Sequence, residues 1–205
     1  MKNGIAIVDY GVGNLFSLCS SLDFIGAEAT VTSDAEVIRS AERIILPGVG
    51  AFADAREKLR RSGLDRVIIE EAAKWKPIMG ICLGMQMLFD RSFEYGEHEG
   101  LGLIKGDVVP MEGYIPAGLK IPHIGWNSLG KTKDSRILSQ IREGDYVYFV
   151  HSFHAVDCQG SLAATTDYGM TVTAAVEQGN VMGCQFHPEK SGSVGLAILK
   201  AFATA

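Results

Sequence analysis

The stretch of sequence that decides the fold is Ile78-Met79-Gly80-Ile81-Cys82-Leu83-Gly84-Met85-Gln86. The residues before the cysteine form a short apolar run of strand length, and those after it have a helical pattern. Glycines stand two residues before and two residues after Cys82, where a sharp turn from strand to helix brings the backbone too close for side chains. We predict a strand over residues 77–81, a helix over residues 83–89, and a thiol presented at the turn between them.

The alternation of strand and helix continues on both sides of this turn. Upstream, the apolar pattern predicts strands over residues 5–9, 29–32 and 43–46, and helices over residues 15–25, 52–61 and 64–74. Such alternation is typical of parallel strands covered by helices. Downstream it predicts strands over residues 103–109, 146–151, 162–165, 172–176 and 181–186, and a final helix over residues 194–202. We therefore expect a mixed sheet whose second half is rich in β-structure.

Composition narrows the class of protein. The 205 residues are 47% hydrophobic and 21% charged, which fits a single globular domain over residues 1–205. A net charge of −5 disfavours a nucleic-acid partner, and no apolar run approaches the length of a membrane helix. The four cysteines are far apart and form no Cys-x-x-Cys motif, which favours a reducing compartment. We expect a cytoplasmic protein whose partners are small molecules or other proteins.

Cys82 is the candidate nucleophile. At a helix N-terminus, free N–H groups and the positive end of the helix dipole favour the thiolate form. His187 is the best-placed base, because it ends a predicted strand, and Glu189 follows two residues later to orient its imidazole. Together they predict a Cys-His-Glu triad. His151 and His154 have the residue type of a metal pair, but no third ligand accompanies them in the sequence, so we expect no metal.

The turn Gly48-Val49-Gly50 follows another predicted strand and has two interpretations. Together with Ala53 it matches the dinucleotide fingerprint G-x-G-x-x-A, which would indicate a nucleotide cofactor. We favour an anion-stabilising turn, in which the N–H groups of Val49 and Gly50 face Cys82 and that of Leu83 is a second donor to an oxyanion.

The elbow around Cys82 and the segment Phe186-His187-Pro188-Glu189-Lys190-Ser191 resemble the class I, or triad, glutamine amidotransferases. Four further blocks are similar to the glutaminase subunits of imidazole glycerol phosphate synthases: Asp9-Tyr10-Gly11-Val12-Gly13-Asn14, Pro47-Gly48-Val49-Gly50-Ala51-Phe52, Pro122-His123-Ile124-Gly125-Trp126-Asn127 and Tyr148-Phe149-Val150-His151-Ser152-Phe153. These blocks span nearly the whole chain in the family's order. The elbow alone is shared with other amidotransferases, so a glutaminase subunit of another synthase remains an alternative.

The resemblance implies a three-layer α/β fold with a mixed, mostly parallel central sheet flanked by helices. It also implies hydrolysis of L-glutamine to L-glutamate and ammonia without a cofactor. The ammonia would pass to a (β/α)₈-barrel cyclase subunit in a heterodimer, which makes imidazole glycerol phosphate and an aminoimidazole carboxamide ribotide in histidine biosynthesis. A cysteine peptidase-like hydrolase of related fold and a binding module with an inactive triad are the other classes left open.

The resemblance assigns roles to individual residues. Cys82 would form a glutamyl thioester, His187 would act as acid and base, and Glu189 would orient His187. The residues that would hold glutamine are Gly50, Gln86, Glu94, Ser152 and Phe153, although the loop over residues 93–99 departs from the compact Ser-Glu-Glu of the family. The residues that would face the partner are Asn14, Trp126, Asn127, Tyr148 and Lys190.

Overall fold

The structure is a computed structural model that describes residues 4–204. Its first half contains β1 (Ile5–Val8), α1 (Leu15–Phe24), β2 (Ala29–Thr32), α2 (Ala35–Ser40), β3 (Arg43–Leu46), α3 (Phe52–Arg61), α4 (Leu64–Ala73), β4 (Ile78–Ile81) and α5 (Leu83–Met87). Its second half contains β5 (Arg91–Ser92), β6 (His98–Glu99), β7 (Asp107–Pro110), β8 (His123–Ser128), β9 (Gly130–Lys131), β10 (Tyr146–His151), β11 (Phe153–Val156), β12 (Leu162–Asp167), β13 (Thr171–Gln178), β14 (Val181–Cys184), a 3₁₀ turn (Pro188–Lys190) and α6 (Gly192–Ala203).

An eight-stranded sheet forms the centre of the molecule, in the order β2-β1-β3-β4-β14-β13-β12-β9. The first five strands in this order are parallel, and β13, β12 and β9 continue the sheet with antiparallel pairs. The predicted mixed, mostly parallel sheet is therefore confirmed. Ligand sites of open α/β sheets lie beyond the carboxyl ends of the parallel strands, which here include the ends of β3, β4 and β14.

Helices cover both faces of this sheet because successive side chains of a strand point to opposite sides. On β1, Ile5 and Ile7 belong to a buried cluster with α1 and α6, whereas Ala6 and Val8 belong to a second cluster with α2, α3 and α4. The predicted three layers follow from these two cores. None of the helices in the described part of the chain is long and apolar enough to cross a membrane.

Two smaller sheets extend the second half. One is the antiparallel pair of β8 and β10, and the other has the order β11-β7-β5-β6. The prediction of a strand over residues 103–109 is wrong at its start, since the strand begins only at Asp107. Before it, the N–H groups of Leu103 and Ile104 both donate to the carbonyl of Leu88, which bends the chain around the end of α5. The sequence analysis missed α2 in the first half and β5, β6, β8, β9 and β11 in the second.

Two glycines allow the elbow at Cys82 to form. A Cβ atom on Gly80 would lie 2.6 Å from the carbonyl oxygen of Gly84, and one on Gly84 would overlap the carbonyl oxygen of Leu46 in the neighbouring strand. Because these obstacles are backbone atoms, no side-chain rotation removes them. The predicted reason for the glycines, close backbone approach, is confirmed.

We expect Gly84→Ala to lower the free energy of unfolding by about 1–3 kcal/mol, because the added methyl group is forced against the Leu46 carbonyl. This loss opposes the gain of about 1 kcal/mol that alanine normally gives within a helix. Urea denaturation followed by circular dichroism measures the change. Gly160→Ala is the matched control, since a Cβ atom there meets open space. Equal stability of the two variants would contradict the close-packing argument.

Candidate active site

Cys82 lies at the junction of β4 and α5 in a conformation that is rare for any residue other than glycine, with φ 55° and ψ −112°. Its backbone N–H donates to the carbonyl of Cys184 at 2.8 Å, and its carbonyl accepts from the N–H of Gln86 at 3.1 Å. Its Sγ lies 3.9 Å from the carbonyl oxygen of Val150. These contacts hold a strained backbone in place, which is common at functional sites.

His187 follows the end of β14, the strand that pairs with β4. Its Nδ1 lies 2.7 Å from Oε1 of Glu189, and both side chains are only 3% exposed. The His187 N–H donates to the carbonyl of Tyr148 at 2.9 Å, which anchors the backbone beside the pocket. The Nε2 atom has no hydrogen-bond partner among residues 4–204, so it is available to exchange a proton with Cys82 or with a bound molecule.

The charges around His187 favour its protonated form. Burial lowers the pKa of this imidazole, but its interactions with Cys82 and Glu189 outweigh burial and raise the pKa to about 9. His187 therefore carries its proton at neutral pH. A protonated imidazole beside a thiol stabilises the thiolate and can later donate a proton to a leaving group.

A pocket of about 360 Å³ contains the triad cysteine and histidine, and this volume is within the range of small-molecule sites. Every residue predicted to bind glutamine or an oxyanion contributes to its wall. They are Val49, Gly50, Leu83, Gln86, Glu94, Ser152 and Phe153, together with Cys82 and His187. These residues come from five separate stretches of the chain and converge at the carboxyl ends of the strands.

The predicted oxyanion turn packs directly against the elbow. A Cβ atom on Gly48 would lie 2.8 Å from Oη of Tyr10 and 2.9 Å from the backbone nitrogen of Gly84. Gly50 has φ 93°, and there is open space where its side chain would be. The Val49-Gly50 peptide therefore borders the pocket in a conformation that glycine tolerates. Its role as an oxyanion donor, with the N–H of Leu83, stays a prediction.

Glu94 provides an argument against the dinucleotide interpretation. Its Oε2 accepts a 2.7 Å hydrogen bond from the N–H of Phe52, at the first turn of α3. The helix N-terminus at which the fingerprint would place a pyrophosphate is therefore occupied by a carboxylate of the protein itself. Burial raises the pKa of Glu94, whereas the Phe52 N–H opposes that rise.

The loop over residues 93–99 departs from the family pattern in sequence but still brings Glu94 into the pocket. The next residue, Tyr95, also borders the pocket, has φ 54°, and is 91% exposed. Its ring meets that of Phe153 edge-on, with centroids 6.0 Å apart. Sequence reasoning missed Tyr95, because nothing about an aromatic residue in a polar loop indicates that the folded protein places it beside a pocket.

Gln86 and Gln185 connect the elbow to the opposite wall. The Nε2 of Gln86 donates to the carbonyl of Phe153 at 3.1 Å and to Oε1 of Gln185 at 3.0 Å. Gln185, in turn, donates from Nε2 to Sγ of Cys82 at 3.7 Å. Sequence reasoning missed Gln185. Its signal was a polar residue within an apolar run just before His187, since buried amides require specific partners.

The predicted partner residues fall into two groups. Trp126, Tyr148 and Lys190 form one exposed cluster: Trp126 is 52% exposed, its ring lies 6.0 Å from that of Tyr148, and Lys190 Nζ lies 5.8 Å from the same tyrosine ring. Lys190 also borders the pocket, so this cluster adjoins the site.

Asn14 and Asn127 lie outside that cluster. Asn14 borders a narrow cleft that His187 and Glu189 also line. Phe16, in the first turn of α1, is 83% exposed. Asn127 is half-buried, and its side chain is engaged within the chain by His123 and by the carbonyl of Asp167. The structure therefore does not present Asn127 as a free surface amide.

Comparison with known proteins agrees with this geometry. Residues 6–205 match the family model described as glutamine amidotransferase class-I. The chain is 50% identical over 199 residues to the imidazole glycerol phosphate synthase subunit HisH of Caldanaerobacter subterraneus subsp. tengcongensis, covering 97% of this chain and 96% of that protein. It is 48% identical over 198 residues to HisH of Aquifex aeolicus, covering 96% and 94% of the two chains.

Solved structures show the same fold. The structure of PurLQS from Thermotoga maritima superimposes with a TM-score of 0.74 and 24% identity, covering 100% of this chain and 99% of that chain. A structure described as a glutamine amidotransferase gives a TM-score of 0.75 at 19% identity, covering 98% and 100%. The chain therefore belongs to the class-I glutamine amidotransferases and, among them, to the family of the imidazole glycerol phosphate synthase subunit HisH.

Proposed function

We propose that this chain is the glutaminase subunit of an imidazole glycerol phosphate synthase in histidine biosynthesis, hydrolysing L-glutamine to L-glutamate and ammonia. The observation that carries the proposal is that Cys82 and His187 line one pocket and that Glu189 lies 2.7 Å from Nδ1 of His187, in a chain about half identical to HisH proteins. We further propose that residues 1–205 act as one glutaminase domain in the cytoplasm. Similarity to HisH along almost the whole chain favours this function over a cysteine peptidase.

The first half-reaction forms a thioester. The Cys82 thiolate attacks the side-chain carbonyl carbon of glutamine, and the electron pair of the C=O bond moves to oxygen. The N–H groups of Leu83 and of the Val49-Gly50 turn would stabilise that oxyanion. The oxyanion's electron pair then re-forms the C=O bond as the C–N bond breaks, His187 Nε2–H protonates the departing nitrogen, and ammonia leaves the glutamyl thioester on Cys82.

The second half-reaction returns the enzyme to its starting state. His187, now neutral, removes a proton from water, which attacks the thioester carbon. The C–S bond breaks, glutamate is released, and the thiolate again faces a protonated imidazole. Glu189 accepts a hydrogen bond from Nδ1 throughout, which fixes the tautomer and stabilises the positive charge.

The exposed cluster of Trp126, Tyr148 and Lys190 supports a place for the partner. We propose that a (β/α)₈-barrel cyclase subunit docks on this cluster in a heterodimer, so that ammonia is released next to the interface. Aromatic side chains with part of their surface exposed are enriched at protein interfaces, and a lysine beside them can pair with a partner carboxylate. Because Lys190 of this cluster also borders the pocket, docking and catalysis would involve adjacent residues.

We expect Cys82→Ala to abolish glutamine hydrolysis, because no other residue at the elbow can form the thioester. With the partner present, glutamine-dependent product formation should stop, while formation from added ammonium salts should persist. Cys19→Ala is the matched control: Cys19 lies on α1, outside the pocket. Glutamate release measured with both variants checks the prediction, and hydrolysis by Cys82→Ala would overturn the assignment.

We expect His187→Asn to lower kcat by about 10²–10⁴, the usual contribution of a proton-transferring side chain. Glu189→Ala should be less damaging, since Glu189 only orients and stabilises the imidazole. Glu189→Gln should also lower the pKa of His187 from about 9, because it removes a carboxylate that raises it while burial still lowers it.

The alkaline limb of the pH profile of kcat/KM should therefore move to lower pH in Glu189→Gln, as the catalytic acid loses its proton earlier. Steady-state assays from pH 6 to pH 10 measure both effects. An unshifted limb, or a loss in Glu189→Ala as large as that in His187→Asn, would show that the two roles are wrongly assigned.

We expect the isolated chain to hydrolyse glutamine slowly and the complex with the ligand-bound partner to be faster. The reason for this expectation is Val49, a β-branched residue between two glycines. The Val49-Gly50 peptide can point either its C=O or its N–H toward Cys82, and only the N–H can stabilise an oxyanion. One oxyanion donor is worth about 10²–10³ in kcat, which sets the expected activation. Kinetics of the chain alone, of the complex, and of the complex with acceptor ligand measure it. Equal kcat in all three would exclude this gating.

A further inference from the structure

A buried series of hydrogen bonds runs from the pocket wall into the sheet of β8 and β10, which carries Trp126 and Tyr148 and which we call the partner-facing sheet. The carbonyl oxygen of Phe153 lies 2.9 Å from Nδ1 of His151. Nε2 of His151 lies 3.0 Å from Nδ1 of His123, and Nε2 of His123 lies 2.9 Å from Oδ1 of Asn127. Both imidazoles are buried, and none of the steps proposed above uses them.

The groups at both ends of this series of hydrogen bonds are acceptors. The carbonyl of Phe153 can only accept a hydrogen bond. The orientation of the Asn127 amide is set by its other contact, since Nδ2 donates to the carbonyl of Asp167 at 2.8 Å, which leaves Oδ1 facing His123. Three hydrogen bonds with acceptors at both ends need three protons, whereas two neutral imidazoles carry two.

The surroundings disfavour a third proton. Burial lowers the pKa of His151 to about 3 and also lowers that of His123. The titratable groups that act on His151 besides His123 are His154 and His187, whose positive charge would lower its pKa further. The Phe149 and Tyr168 rings stack on His123, at centroid distances of 4.9 and 3.9 Å, and bring no negative charge.

With two protons, one of the three links must lack its hydrogen. The central nitrogens are 3.0 Å apart, a distance at which a shared proton is favourable and two lone pairs repel. The choice therefore lies between the two ends. Either His151 donates to Phe153, and Asn127 faces a lone pair, or His123 donates to Asn127, and Phe153 faces a lone pair.

We propose that His123 and His151 are positioning residues that form only one of two hydrogen bonds at a time, to the Phe153 carbonyl or to the Asn127 side chain. The pair thereby couples the glutamine pocket to the partner-facing sheet. This inference rests on the proposed function, because the hydrogen bond to Phe153 affects glutamine only if the pocket binds glutamine. Phe153 borders that pocket, and its carbonyl also accepts a hydrogen bond from Gln86.

The coupling has a direction. A contact that draws the Asn127 amide away from His123 leaves His123 free to donate from Nδ1 to His151, which then donates to Phe153. The pocket wall is held by two donors in that state and by Gln86 alone in the other. By reciprocity, a glutamine molecule that needs this wall in place releases Asn127 toward a partner.

The test combines histidine ¹⁵N NMR of the whole chain with glutamine kinetics. In the unaltered chain, His151 should spend a substantial part of its time as the Nε2–H tautomer. Asn127→Leu removes the Asn127 Oδ1 acceptor and should shift both His123 and His151 fully to the Nδ1–H tautomer. It should also lower KM for glutamine by about two- to tenfold with a smaller change in kcat, the effect of completing one hydrogen bond.

Asn127→Asp provides a second test if the leucine variant folds poorly. Its carboxylate stabilises a third proton, so His123 should become protonated on both nitrogens near neutral pH, all three links should form, and KM should again fall. Tyr168→Phe is the matched control: it keeps the ring stacked on His123, loses only the hydroxyl that donates to the backbone carbonyl of Lys120, and should leave both tautomers as in the unaltered protein.

Three results would overturn the proposal: His151 found solely as Nδ1–H in the unaltered chain, three protons on the pair at pH 7.5, or tautomers that respond to Asn127 while KM does not. The failure of the proposed function would look different. A chain that hydrolyses no glutamine, even with its partner, would refute the glutaminase function, and the NMR spectra would still report whether the two ends compete for protons.

Discussion

The hydrogen bond between the Cys82 N–H and the carbonyl of Cys184 is the constraint on which the rest of the site depends. It is the last link in the parallel pairing of β4 with β14, in which Ile81 lies opposite Cys184. Because the two strands end at the same level, the cysteine that follows one and the histidine that follows the other meet at the same edge. A shift of one residue in this register would turn Cys82 or His187 toward the opposite face of the sheet.

That register is maintained by residues with no chemical role. Gly183 and Gly80 face each other across the two strands, and a Cβ atom on Gly183 would press into the side chain of Met85 on α5. The helix can therefore lie close over both strands. Close packing of this kind makes the backbone at Cys82 adopt a positive φ that an isolated peptide would rarely populate. The packing of the core thus stabilises the strained residue that presents the thiol.

The sequence was sufficient to predict what depends on local pattern. Strand β3 and helix α3 were predicted with their observed bounds, and the glycines of the elbow pointed to a strand-to-helix turn with a thiol at its end. The sequence was insufficient where contacts between residues far apart in the chain determine the local structure. The start of β7 is delayed because residues 103 and 104 bond back to Leu88, and nothing in their apolar pattern indicates that contact. The roles of the predicted site residues remain predictions, although the structure brings those around the pocket together.

The two buried amides illustrate the same limit at the level of chemistry. Gln86 was expected to hold glutamine directly, yet both hydrogens of its amide nitrogen are used within the protein, by Phe153 and Gln185. Gln86 can therefore contribute to the pocket through its Oε1 atom and by holding the wall at Phe153 in position. The carbonyl of Phe153 is therefore contacted from two independent elements: Gln86 on α5 donates to it, and Nδ1 of His151 on β10 lies 2.9 Å from it and donates when that nitrogen carries the proton. A carbonyl with two lone pairs can accept both. The geometry of the pocket wall thus depends on the elbow on one side and on the sheet of β8 and β10 on the other, so a change in either element reaches the wall through the Phe153 carbonyl.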